Sequence, residues 1–155
     1  RDNELALGPH LIARKTSDQS VTSSTVLVDD SALQLAVGAS EVWKVEVSLL
    51  FEGDTTGDLK FSFSFPTSGV CYVNAAHQDA ALATSTDLLR LTVSDGTTMP
   101  LGCLGAGSPR YQPISALFVN STTAGTLIFR WAQNASSATA TKVVTNSTLW
   151  AVKLA

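Results

Sequence analysis

The residues of this chain that could do chemistry are two histidines, two cysteines and thirteen Asp and Glu side chains. His77 stands two residues before Asp79 in Asn74-Ala75-Ala76-His77-Gln78-Asp79, which is half of a general-base site with no third group to complete it. The pair reads as a polar loop pair instead. Cys71 lies six residues before His77, but no second Cys/His pair supplies the remaining ligands of a zinc site. Cys71 and Cys103 could form a disulfide if the fold brings them together; as free thiols they would act as small buried hydrophobes. Asp54 and Asp58 bracket the Gly53-Asp54-Thr55-Thr56-Gly57-Asp58 turn, two carboxylates where calcium wants several oxygens. Asp29-Asp30 reads as a turn cap. The glycines of Gly102 to Gly107 lack the lysine and following helix of a phosphate-binding loop. The serines lack a nucleophile-elbow pattern, and no carboxylate pair suited to glycoside hydrolysis assembles visibly. The expectation is a protein that is not an enzyme and uses neither a cofactor nor a metal.

Composition points the same way. Of 155 residues, 45% are hydrophobic and only 15% charged, well below the usual quarter, so part of the surface must be Ser, Thr, Asn and Gly or lie against other chains. A net charge of −3 offers no basic field for nucleic acid. No apolar run reaches the roughly 18 residues of a membrane-spanning helix, so membrane insertion is not expected either. Asn-x-Ser/Thr triplets at Asn120, Asn134 and Asn146 arise easily in so Ser- and Thr-rich a chain.

The elements that would position these groups have a period of two. Trp43, Val45, Val47, Leu49 and Phe51 fall on one face of a strand, with Lys44, Glu46 and Ser48 opposite. Leu59, Phe61, Phe63 and Phe65 alternate with Lys60, Ser62 and Ser64 beyond the turn, and the two runs read as a hairpin with both apolar rows on one core face. Further strands are predicted near 24–28, 33–37, 69–74, 88–94, 114–120, 125–133, 139–145 and 148–154. Ala75–Thr86, Asp95–Thr98 and Gly102–Pro109 are read as loops. About ten short strands without a helical period predict an all-β, antiparallel β-sandwich of the jelly-roll kind over residues 16–155. Residues 1–15 differ. Leu5, Leu7, Leu11 and Ile12 sit among charges, and Gly8-Pro9 breaks any single helix, so the segment is read as an extended arm that lies on a neighbour. Trp43, Phe61, Phe63, Trp131 and Trp150 are the candidate core or subunit-interface aromatics.

Lys15-Thr16-Ser17-Asp18-Gln19-Ser20-Val21-Thr22-Ser23-Ser24-Thr25-Val26-Leu27-Val28-Asp29-Asp30, with Leu33-Gln34-Leu35 and Trp43 after it, forms a recognisable opening. Phe129-Arg130-Trp131-Ala132-Gln133-Asn134, Ala138-Thr139-Ala140-Thr141 and a last strand around Trp150 form the close. Both resemble small β domains in structural proteins of tailed bacteriophages, and together they cover most of the chain from Lys15 onward. The resemblance implies a virion component of tail-fibre, tail-tip or head-decoration type, commonly a homotrimer on the outer surface of head or tail. It also implies other virion proteins as partners, reached through the N-terminal arm. A receptor- or carbohydrate-binding module is the other expectation, with a host surface glycan held by the loops at Ala75–Thr86 and Asp95–Pro109.

Overall fold

The structure is a computed structural model; it describes residues 9–78, 86–93 and 95–155, with 76–78 and 86–93 in backbone only. Twelve strands account for its regular structure among the described residues: β1 (His10–Arg14), β2 (Gln19–Val21), β3 (Val28–Val37), β4 (Val42–Gly53), β5 (Leu59–Ser64), β6 (Val70–Gln78), β7 (Thr86–Val93), β8 (Met99–Leu101), β9 (Gly105–Val119), β10 (Gly125–Gln133), β11 (Thr141–Val143) and β12 (Thr148–Lys153). Every pairing between them is antiparallel. The larger sheet runs β1-β12-β4-β9-β6-β7, with β11 joining β4 to β2 at one end, and the smaller runs β3-β10-β5-β8.

Alternation in the sequence becomes two facing walls. From β4, Trp43, Val45, Val47, Leu49 and Phe51 are buried, and from β5 and β10 so are Phe61, Phe63, Phe129 and Trp131. Phe129 stacks on Phe61 at 5.6 Å between ring centroids and meets Phe63 edge-on at 5.6 Å. A second ring contact, Phe65 against Phe118 at 5.3 Å, joins the end of the smaller wall to β9. Burial of this kind stabilises by roughly 25 cal/mol for each Å² of apolar surface removed from water, so the aromatic wall is the main cohesive element of the domain.

The expected hairpin does not form. The long edges of β4 pair with β12 and β9, and those of β5 pair with β10 and β8, so neither strand has an edge free for the other. At Asp54–Asp58 the chain turns tightly, with the amides of Gly57 and Asp58 donating to the Asp54 carbonyl, and Asp58 takes φ +49°. It then enters the opposite sheet, so the two apolar rows line the same core from facing walls. Gly53 is required just before this turn, because a Cβ there would come within 2.8 Å of the Thr141 hydroxyl and 3.0 Å of the Cys103 sulfur.

Four other boundaries shift. Ala75–Gln78, read as the start of a loop, continues β6, and residues 79–85 lie outside the described residues. Gly105–Pro109, also read as loop, opens the long strand β9, with Gly105 opposite Gly53. The predicted strand at 24–28 begins only at Val28; upstream of it, Ser23 and Ser24 bond to Ser137 and Gln133 in a loop. The segment read as an arm through Lys15 is, from His10 onward, strand β1, paired with β12 from His10↔Val152 to Arg14↔Thr148. Leu5 and Leu7 lie outside the described residues.

Candidate functional site

The groups singled out for chemistry are placed apart. His10 is exposed on β1, while His77 pairs through its backbone with Asp87; Asp79 is outside the described residues. Among the described residues no three His, Cys, Asp or Glu side chains converge to hold a metal ion. Cys71 and Cys103 are free and buried. Burial pushes both thiols up to about 12, so neither supplies a thiolate nucleophile near neutral pH. The turn carboxylates are engaged internally. Asp54 accepts from the hydroxyl and amide of Thr56 and the hydroxyl of Ser137, which hold it below the usual carboxylate range. Asp58 accepts from the Cys103 amide at 2.8 Å. These bonds tie three loops together.

The two segments that carry the resemblance converge on one buried polar centre. Lys15 follows β1 and has no exposed surface; its ammonium lies 2.9 and 3.0 Å from the two carboxylate oxygens of Asp30, equally buried. Asp30 accepts three further bonds, from the amides of Ala32 and Leu33 at 3.0 Å each and from the Trp131 indole at 3.2 Å. Gln19 completes the group. Its side-chain oxygen accepts from Lys15 and the Ser31 amide, and its amide donates to the Asp29 carbonyl. The spacing of Lys15, Gln19 and Asp30 therefore joins β2 and β3, and Trp131 adds β10. The turn-cap reading of Asp30 captures two of its four donors. It misses Lys15 and Trp131, because nothing in a one-dimensional sequence relates positions 15, 30 and 131. Lys15 and Asp30, without exposed side-chain surface, are satisfied within this centre, and Gln19 sits half-buried at its margin.

Gln133 organises a second buried tie. Its oxygen accepts from the amides of Ser24 and Ser137, and its nitrogen donates to the Thr139 carbonyl and the Thr141 hydroxyl. All four of its hydrogen-bonding positions are thus used. Asn120 is buried and donates to the carbonyls of Gly38 and Thr123, so glycosylation there would break the fold, whereas Asn134 and Asn146 are exposed.

At the other end of the domain Glu41 accepts from the Lys153 ammonium at 2.8 Å, the Gly38 amide and the Trp43 indole. Led by Lys153, these donors lower its carboxyl from 4.5 to about 2. The unfolded chain has the ordinary value, so the stabilisation is fully present above about pH 4.5 and fades as pH falls towards 2. Urea midpoints of the parent and of Glu41→Gln, measured from pH 6 to pH 2, should therefore converge towards the acid end. Parallel curves would show that the carboxylate contributes nothing specific. Because Glu41 is in contact with water, the separation is small.

Several large apolar side chains are exposed on the outward face and edge of the larger sheet. Ile12 and Trp150 are directly opposite each other on β1 and β12, 67% and 39% exposed. Leu11 and Leu154 are exposed at the same edge, and Tyr72, Leu117 and Tyr111 further along the face. Trp43, Phe61, Phe63 and Trp131 lie in the core, whereas Trp150 points outward.

No family model matches this chain, and no curated protein matches it. Among solved structures it is similar to infectious bursal disease virus of the Gt strain, at 13% identity and a TM-score of 0.27, over 99% of this chain and 44% of that one. A crystal structure of the VP2 subviral particle of the same virus is similar at 12% identity and a TM-score of 0.23, over 98% and 43%. The chain thus spans less than half the length of the structures it matches, and scores this low carry no argument about what it does.

Proposed function

We propose that this chain is a jelly-roll structural domain of a bacteriophage particle, displayed on head or tail and assembled with copies of itself as a homotrimer. The strand order supports the jelly roll. With the β6–β7 hairpin and the short β2 and β11 set aside, the sheets read β1-β12-β4-β9 and β3-β10-β5-β8, and consecutive strands cross between them, β5 and β8 excepted, as in two interlocked Greek keys. Fold alone does not choose a function. The observation that carries the assembly reading is the exposed apolar edge at Leu11, Ile12 and Trp150, in a chain with few charges to keep such an edge solvated. The resemblance of the Lys15–Asp30 and Phe129–Asn134 segments to tailed-phage domains supports a virion as the setting. Arg1–Gly8 leads into this edge and is the segment assigned to other virion proteins; it is shorter than the arm expected from sequence, because His10–Lys15 belong to the domain.

Sedimentation and native mass measurement test the assembly. The parent chain should run at three times its monomer mass, and Ile12→Ser with Trp150→Ser should be monomeric with a nearly unchanged unfolding midpoint. A parent chain that stays monomeric at high micromolar concentration would sink the homotrimer. Deleting Arg1–Gly8 should leave the domain folded and reduce its recovery with purified particles; undiminished recovery would sink that docking role.

A further inference from the structure

A shallow depression of about 320 Å³ opens on the outward face of the larger sheet, lined by Lys44, Tyr72, Asn74, Ser115, Ala116 and Leu117. Strand register sets its outline. Lys44, Leu117 and Tyr72 stand opposite one another across β4, β9 and β6, and Glu46, Ser115 and Asn74 form the next row on the same face. With strands about 4.8 Å apart and same-face neighbours about 7 Å apart along each strand, the grid measures roughly 10 by 7 Å. That is the footprint of one six-membered sugar ring.

The two rows differ in chemistry. Tyr72, 48% exposed, and Leu117, 39% exposed, offer an aromatic and an aliphatic surface side by side. The other row is polar and partly unengaged. The Ser115 hydroxyl donates to Glu46 Oε1 at 2.8 Å and the Lys44 ammonium lies 3.1 Å from the same oxygen. Among the described residues nothing bonds to Glu46 Oε2 or to the Asn74 side-chain amide. Among the described residues the charge of Lys44 is offset by Glu46, its ion-pair partner at 3.1 Å just beyond the lining. A floor with an apolar strip, a neighbouring carboxylate oxygen and a free amide suits a ligand with one apolar C–H face and a rim of hydroxyls.

We propose that this depression binds a neutral hexopyranose unit, its C–H face over Tyr72 and Leu117 and its hydroxyls towards Glu46 and Asn74. The site lies on strands: it adjoins Ala75, where the first of the two loops expected to hold a glycan was read to begin, but it does not use the second at Asp95–Pro109, and it does not depend on the assembly reading. Its centre on β9 is three strands from Ile12 and two from Trp150, although Trp150 stands directly opposite Glu46.

The test is saturation-transfer NMR on the intact chain with the methyl glycosides of glucose, galactose and mannose and with N-acetylglucosamine, each at millimolar concentration. At least one should receive saturation from the protein, and Tyr72→Ala should weaken that binding by about tenfold, the weight of one lost ring contact. Asn74→Ala should weaken it less, and Tyr111→Ala should leave it unchanged. Thermal unfolding establishes that each variant is folded. Oligosaccharides ending in the responding sugar separate the sources: tighter binding assigns the site to the end of a surface polymer, and equal binding assigns it to the free sugar. No transfer to any of the four, transfer only to glucuronate or sialyllactose, or transfer that survives Tyr72→Ala would each overturn the proposal. Loss of the trimer in the Ile12/Trp150 variant with sugar binding intact would confirm that the two proposals stand or fall separately.

Discussion

Replacing Lys15 with methionine should destabilise the domain by about 3–5 kcal/mol, the usual cost of leaving a buried charge without its partner. Asp30 would keep three donors, the amides of Ala32 and Leu33 and the Trp131 indole, but would lose the only cation described beside it. A small domain has about 5–15 kcal/mol to lose, so the variant should unfold at a much lower urea concentration. Asp30→Ala should be worse. It strands the Lys15 ammonium and orphans two backbone amides and an indole at once, and an unsatisfied buried donor costs about 1–3 kcal/mol on its own. Trp131→Phe removes one donor to Asp30 and some volume, and belongs at the mild end. The expected order of loss in urea unfolding is therefore Asp30→Ala, then Lys15→Met, then Trp131→Phe. A Lys15→Met protein as stable as its parent would show that the pair is not formed. The same centre explains why truncation beyond His10 cannot be a clean test of docking, since a chain lacking residues 1–15 has lost both β1 and the partner of Asp30.

The alternation that made the strands legible is local, and so are the features it revealed. The bounds of β10 agree with the predicted strand, because Gly125 and Gln133 frame a run whose apolar residues need no outside information. The β4–β5 connection was misread for the opposite reason. A short Gly- and Asp-rich turn between two alternating runs is what a hairpin looks like, and also what a crossing between sheets looks like. The choice is made by β9, β10 and β12, more than forty residues downstream, which occupy the long edges. Gly105–Pro109 has the composition of a loop, yet it opens β9, where Gly105 pairs with Gly53 across a register shift in β4. The arm was legible as different in composition but not as an edge strand, because its pairing partner is at the other end of the chain.

The candidate sites divide along the same line. The apolar residues of the exposed edge, Leu11, Ile12 and Trp150, were all singled out by type, though nothing in the sequence told which of them would face water. The Lys15–Asp30 centre and the Tyr72 depression were not legible at all. Each is an encounter of residues brought together by the fold, across 15 and 101 positions in the first and from three strands in the second. The segments Lys15–Asp30 and Phe129–Asn134 contain Lys15, Asp30 and Trp131, but nothing in the sequence singled out these three side chains as partners.

The second large effect is expected at Phe129, where alanine should cost about 3–5 kcal/mol. Phe129 is wholly buried in the middle of the smaller sheet, and it is the ring that touches both Phe61 and Phe63 at 5.6 Å. Its backbone neighbour across the strands is Phe63, so the cavity left by truncation is walled by two rings fixed on β5. Rings so held cannot swing far into the space, because each is also clamped by its own strand; partial collapse is the condition under which truncations cost most. Phe129→Leu keeps much of the volume and loses the ring contacts, so it should cost distinctly less. The contrast with Lys15→Met is in the mechanism. Here the loss scales with the volume removed and is insensitive to pH and salt. A Phe129→Ala protein losing less than about 1 kcal/mol in urea unfolding would mean that the two sheets can close over the gap, and that the aromatic wall is not what holds them apart at their present spacing.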